Sequence, residues 1–265
     1  MASKLFAFLL SLSAAFISYN LYNPPKSAII TMTGPEMNVF EAPGIVKYVE
    51  RIQAAATPER PALASDRGRW AMAWLHLVVW NSWKSAYFYA DKFPEGDFQH
   101  YSEYALLTAT FLVDHHEAEE AALFPVLEKK IAGSMQQNEA QHQAFLKPLE
   151  ELIEYLRSAQ ISAVKFDAAT YRSKVDAILE NLMEHLSDEL DSLEGSKLLA
   201  HFSESDLDAI NKGVHKAQQG DSHKMLPFIL QVCVGYIEKH SSASLTKVNI
   251  RISRLVVPSH RHQVL

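Results

Sequence analysis

Asp114-His115-His116-Glu117-Ala118-Glu119-Glu120 sets two histidines and four acidic residues into one short run. In a helix, residues four apart point the same way, so His115 pairs with Glu119 and His116 with Glu120. An imidazole and a carboxylate one turn apart can hold a first-row metal ion of intermediate softness, such as iron, manganese or zinc. Thr108, Phe111, Leu112, Ala122, Leu123 and Val126 continue the His115/Glu119 stripe at helical spacing. That spacing predicts a stripe facing a core. Charged groups on such a face are costly unless paired or bound to a metal. The competing reading of the same run is a solvated acidic face.

Other elements must bring further ligands to this stripe. From about Arg67 to Ala90 there is no proline, and Trp70, Ala73, His76, Leu77, Trp80, Trp83 and Tyr87 recur at helical spacing. This predicts a core helix with one histidine in its stripe. Taken alone, such a histidine is more often a core residue than a ligand. Phe93-Pro94-Glu95-Gly96-Asp97 is a turn with Asp97 as N-cap. The His115 helix follows it, and Pro125 kinks or ends a turn of that helix. A third helix, about Ser134–Ser158, aligns Asn138, His142, Phe145, Leu149, Leu152 and Leu156. A fourth, about Asp167–Leu193, aligns Val175, Ile178, Leu182, His185, Leu186, Glu189 and Leu193. His185 and Glu189 repeat the four-residue spacing of His115 and Glu119. Four consecutive amphipathic helices thus each carry a histidine on the apolar stripe, which four independent core histidines explain poorly.

The fold expected is all-α: an antiparallel four-helix bundle with an N-terminal hydrophobic segment and a C-terminal extension. His76, His115, His142 and His185, with Glu119 and Glu189, fit a two-metal site inside such a bundle. The pattern resembles the hemerythrin-like, or HHE cation-binding, family. The resemblance rests on His76, on His115-His116-x-x-Glu119-Glu120-x-x-Leu-Phe-Pro, on Gln141-His142-x-x-Phe145 and on His185-Leu186-x-x-Glu189, and covers residues 67–195. It implies a centre of two iron ions, with the four histidines as terminal ligands and Glu119 and Glu189 as bridging or terminal carboxylates. His116 and Glu120 stand beside the main stripe, as an extra ligand, a hydrogen-bond partner to a ligand, or surface. Dioxygen-carrying members place a second histidine four residues after the third-helix ligand, where this chain has Leu146. An open position there suits dioxygen activation; His116, Glu120 or a water filling it would close the site.

Composition narrows the alternatives. Hydrophobic residues make up 48% and charged residues 21%, an ordinary globular balance. A net charge of −6 with few Lys/Arg clusters leaves no footprint for nucleic acid. Cys233 is the only cysteine, which excludes an internal disulfide, a cysteine-based zinc site and an iron–sulfur cluster. With twelve histidines in the chain, any metal site draws on imidazole and carboxylate ligands.

The flanks read differently. Lys4 and the apolar run Leu5–Ile17 within residues 1–22 suggest a signal peptide or an uncleaved anchor, directing the chain to the secretory pathway or holding it at a membrane through residues 5–22. The rival is an ordinary hydrophobic helix. Residues 23–66 form a proline-containing leader with a short helix around Gly44–Ala55, packed against the domain. Residues 196–265 are a C-terminal extension: a helix at Glu204–Gln218, an apolar segment at Met225–Tyr236, and a basic tail. In that tail Val248, Ile250 and Ile252 alternate as in an edge strand or a frayed end.

Three functions compete. The first is a di-iron enzyme that activates dioxygen to oxidise or oxygenate a small organic substrate. Trp70, Trp74, Trp80, Trp83, Tyr87 and Phe111 are either its apolar pocket or ordinary core. The second is a protein that binds, stores or senses dioxygen or iron without catalysis. The third is a metal-free helical interaction module. The chain has no Gly-rich nucleotide loop, no G-x-S-x-G elbow and no H-E-x-x-H run.

Overall fold

A computed structural model describes residues 38–57 and 59–217, and within them every regular element is helical. The hydrophobic segment 1–22, the apolar segment at 225–236 and the alternating tail lie outside the described residues. No helix among the described residues is long and apolar enough to cross a membrane.

A 3-10 turn, Val39–Glu41, opens with Asn38 accepting a hydrogen bond from the Phe40 amide at 3.1 Å. Helix α1 spans Pro43–Ala55 and uses Pro43 in its first turn, where a missing N–H costs nothing. Its Ile45, Tyr48, Val49 and Ile52 are buried, and α1 packs on two long helices, α2 (Ala64–Tyr89) and α6 (Ala168–Ser192). Phe40 seals the same face, its ring 4.9 Å from Trp80 and 5.1 Å from Tyr87. Burying side chains of this size contributes about 1.5–3 kcal/mol each, so the leader helix is part of the core rather than a loose cover.

Two more long helices complete the interior, α3 (Phe98–Ala122) and α5 (Gln136–Gln160). α2 packs on α3, α3 on α5, α5 on α6 and α6 on α2, a closed circuit of pairings. The stripes expected to face inward do so: Leu149, Leu152 and Leu156 of α5, and Val175, Ile178, Leu182 and Leu186 of α6, are at most 1% exposed.

Pro125 has a clear consequence. It ends α3 and starts a new short helix, α4 (Phe124–Lys130), because proline cannot donate the next helical hydrogen bond. The break shifts the phase of the inner face. Phe124 and Leu127 become buried, while Val126, expected to continue the His115 stripe, is 40% exposed. Pro148 lies inside α5 without ending it. The carbonyl it leaves unpaired belongs to exposed Ala144, where water can serve it.

After α6 the chain makes a short helix α7 (Gly195–Leu198) and then α8 (Glu204–Ala217), which packs on α2 and α3. α2 has no side-chain cap of its own. Glu204 supplies one: Oε2 accepts from the amides of Ala64 (2.6 Å) and Ser65 (3.2 Å), and Oε1 from the Ser65 hydroxyl (2.6 Å). A carboxylate at a helix N-terminus also meets the positive end of the helix dipole.

Candidate metal centre

Each long helix of the circuit sends a donor inward. α2 brings His76, α3 brings His115, His116 and Glu119, α5 brings His142, and α6 brings His185 and Glu189. All seven are buried, and His76, Glu119, His185 and Glu189 have no exposed surface. Their donor atoms fall into two overlapping quartets, each within 4.8 Å: His76, His115, Glu119 and Glu189 in one, His116, Glu119, His142 and His185 in the other.

Glu119 belongs to both. Its Oε1 lies 3.0 Å from His115 Nε2 and its Oε2 3.8 Å from His142 Nε2. In the first quartet, His76 Nε2 is 3.2 Å from Glu189 Oε2. In the second, His142 Nε2 and His185 Nε2 are 3.0 Å apart, and the His116 ring sits 4.1 Å from that of His142 and 5.1 Å from that of His185. Donors this close would normally pair with one another. Yet both nitrogens of His76 and His115, Nε2 of His116, and all four carboxylate oxygens of Glu119 and Glu189 make no hydrogen bond of acceptable geometry. Buried polar atoms left this way are costly, and a cation coordinated by the set removes the cost. The residues fit bound metal.

The electrostatics agree. Burial, followed by the neighbouring charge of His76, pushes His115 down to about 3. Burial likewise holds His116 and His185 well below the ordinary imidazole value. Neutral imidazole is the ligand form. Burial first, then the charge of Glu189, pushes Glu119 well above the usual carboxylate range. A metal ion would displace that proton on binding.

All six residues expected from the stripes converge here. Two details depart from the spacing. The pairs one turn apart do not each serve one quartet: His185 and Glu189 divide between the two, and His116 joins Glu119 while Glu120 turns outward. The reason is the position of α3, which packs against α2 on one side and α5 on the other. His115 faces the first, with its ring 5.4 Å from His76, and His116 faces the second. A helix with two neighbours buries more than one stripe. Ala105, Ala109, Leu112 and His116 form that second apolar row, a signal present in the sequence beside the first.

Leu146 does not face the cluster. Leu146 is 39% exposed, and Phe145 takes the inner position, 5.2 Å from the His116 ring and 5.7 Å from that of His185. The fifth buried imidazole of the cluster is that of His116 on α3. Of the aromatic residues read as either apolar pocket or core, Trp70, Trp74, Trp80, Trp83 and Phe111 are buried and Tyr87 is half-buried; Trp70 donates to Thr57 O at 2.8 Å and Trp83 to Thr108 O at 3.2 Å.

Among known proteins, the chain is 29% identical over 153 residues to a protein of Cryptosporiopsis sp. (strain 8999) called dimeric xanthone biosynthesis cluster protein R11. The match takes in 49% of this chain and spans 58% of that relative's length. No solved structure matches. Residues 89–193 match the family model described as the hemerythrin HHE cation binding domain, a span holding every donor of both quartets except His76. Over residues 89–193 the chain is therefore similar to the hemerythrin HHE cation-binding domain.

Proposed function

We propose that the protein is a non-haem di-iron protein that binds dioxygen and activates it to oxidise or oxygenate a small organic molecule. The observation that carries this reading is the pair of buried quartets joined through Glu119. One iron would take His76, His115 and Glu189, the other His116, His142 and His185, with Glu119 spanning both. The closed circuit of α2, α3, α5 and α6, joined by short connections, supports an antiparallel four-helix bundle as the scaffold. Two iron ions supply, when bound, a redox-active seat for dioxygen.

The chain's own residues prepare that seat. Neutral imidazoles present lone pairs, and two carboxylates offset the ionic charge. Phe111, Phe124 and Phe145 lie against His115, His142 and His116 and limit water. The name of the Cryptosporiopsis relative, which refers to a biosynthetic cluster, supports an enzymatic role.

A second reading has its own observation. His116 restores the imidazole that Leu146 does not provide, and a histidine-rich shell suits reversible binding, storage or sensing of dioxygen or iron. Metal analysis of full-length protein purified under reducing, iron-replete conditions tests the common part: two irons per chain are expected, and native-like protein without metal would rule the centre out. Stopped-flow absorption of the reduced protein with dioxygen then separates the readings. Rapid decay with product from a candidate organic substrate supports the enzyme. A long-lived, reversible adduct without product supports the carrier or sensor.

A further inference from the structure

His142 differs from its neighbours in what its second ring nitrogen does. Its Nδ1 lies 2.8 Å from Glu120 Oε1, whereas Nδ1 of His76, His115 and His185 is buried without a hydrogen-bond partner. The Glu120 side chain is 50% exposed and its Oε1 is placed to accept from that nitrogen. A carboxylate accepting from Nδ1–H places the imidazole proton on that nitrogen and leaves Nε2 as a lone-pair donor. That Nε2 is the atom 3.0 Å from His185 Nε2 and 3.8 Å from Glu119 Oε2, inside the second quartet. The ring plane is held as well, because Phe124 stacks on His142 with centroids 5.4 Å apart. In the first quartet no outer partner for Nδ1 of His76 or His115 plays this part, and two of its four donors are carboxylates.

Resting on the di-iron reading above, we propose that Glu120 is a positioning residue. It presets His142 as a ligand and so makes the His116/Glu119/His142/His185 quartet the tighter seat, filled before the other.

The test is an anaerobic titration of full-length protein with Co(II), read by its visible absorption, for the parent, Glu120→Ala and Glu120→Gln. The parent should bind two ions in two resolved steps. Glu120→Ala should weaken the tighter step about 10- to 100-fold and leave the other step in place. Glu120→Gln, whose amide oxygen still accepts from Nδ1–H, should recover most of that loss. A second readout needs no metal: imidazole ¹⁵N NMR of the metal-free protein, with His142 assigned through His142→Gln. It should show the proton on Nδ1 in the parent and in Glu120→Gln, and mixed tautomers in Glu120→Ala. If the parent binds two ions and Glu120→Ala matches it in both readouts, the positioning role is wrong. Equal weakening of both steps overturns the loading order. Failure of the parent itself to take up metal overturns the di-iron reading, and the loading order with it.

Discussion

Along α3 and α6 the first turns carry aromatic side chains and the last turns carry five of the seven donors. At the aromatic end, Phe93 stacks on Tyr101 at 4.8 Å, Phe98 meets Phe166 at 5.0 Å, and Phe166 lies 6.0 Å from Tyr171. The polar atoms there are engaged: Tyr101 donates to Ala86 O at 3.0 Å, and Tyr155 both donates to Asp167 O and accepts from Asp167 N. Aromatic pairs of this kind contribute about 0.5–1.5 kcal/mol each beyond their buried area. At the other end the buried polar atoms are close together and, apart from those of His142 and the His185 nitrogen facing it, mostly unpaired. The same helices thus gain stability at one end and spend it on pre-formed ligands at the other, so metal-free stability and metal affinity should respond oppositely to mutation.

The largest effect is expected at the aromatic end. Tyr171 is fully buried, and Tyr171→Ala should cost about 3–5 kcal/mol in urea unfolding. The loss should be equal with and without metal, because no donor is touched. A loss confined to the metal-bound protein would show that the two ends are not independent.

Glu189→Met probes the opposite end. Replacing a buried carboxylate whose oxygens make no hydrogen bond by an apolar side chain of similar size should raise metal-free stability by about 1–3 kcal/mol and abolish uptake of the ion in its quartet. Denaturation in chelator beside metal stoichiometry checks both parts. If the variant is less stable without metal, the donors are not a cost to the fold.

pH sharpens the same contrast. The folded-state values of His115, His116 and His185 lie below 6.5, so in acid the unfolded chain holds protons that the folded chain does not. Stability of the metal-free protein should therefore fall as pH drops below about 6.5, by up to about 1.4 kcal/mol per pH unit for each histidine. Glu119 acts in the other direction. Its raised folded value contributes stability in acid that is lost as pH climbs from about 4.5 through that value. Three histidines outweigh one carboxylate between pH 5 and 6.5, on the order of the shifts just named. Chelated protein should gain stability with pH across that window, and a flat profile would break the argument.

The smallest effect belongs to the rim of the aromatic end. Arg172 pairs with Asp91 at 2.6 Å, donates to Tyr87 O and lies over the Tyr87 ring. Arg172→Gln should cost about 0.2–1 kcal/mol, as partly exposed pairs do, and the cost should shrink in high salt. A larger, salt-independent loss would mean that the stacking, not the ion pair, holds that corner.

Much of this is legible in the sequence. Proline-poor stretches with apolar residues every third or fourth position define α2, α3, α5 and α6. One histidine on each stripe singles out His76, His115, His142 and His185, since period and burial are local properties of a helix. Less readable was the choice between His116 and Glu120. Both sit beside the main stripe, and only the placement of α3 between two neighbours turns one inward and leaves the other half in water. Val126 leaves the inner face for a local reason, the phase shift that Pro125 imposes on the next turn.

What the sequence alone determined is therefore the helical class, the inner faces and the kind of chemistry available, because side-chain type and spacing depend only on near neighbours. The tertiary structure decided how donors from four helices divide into quartets, why Glu119 is shared while Glu189 is not, and that Glu204 caps a helix 140 residues away in sequence. Those depend on the distances between helices, which no spacing along one chain segment encodes.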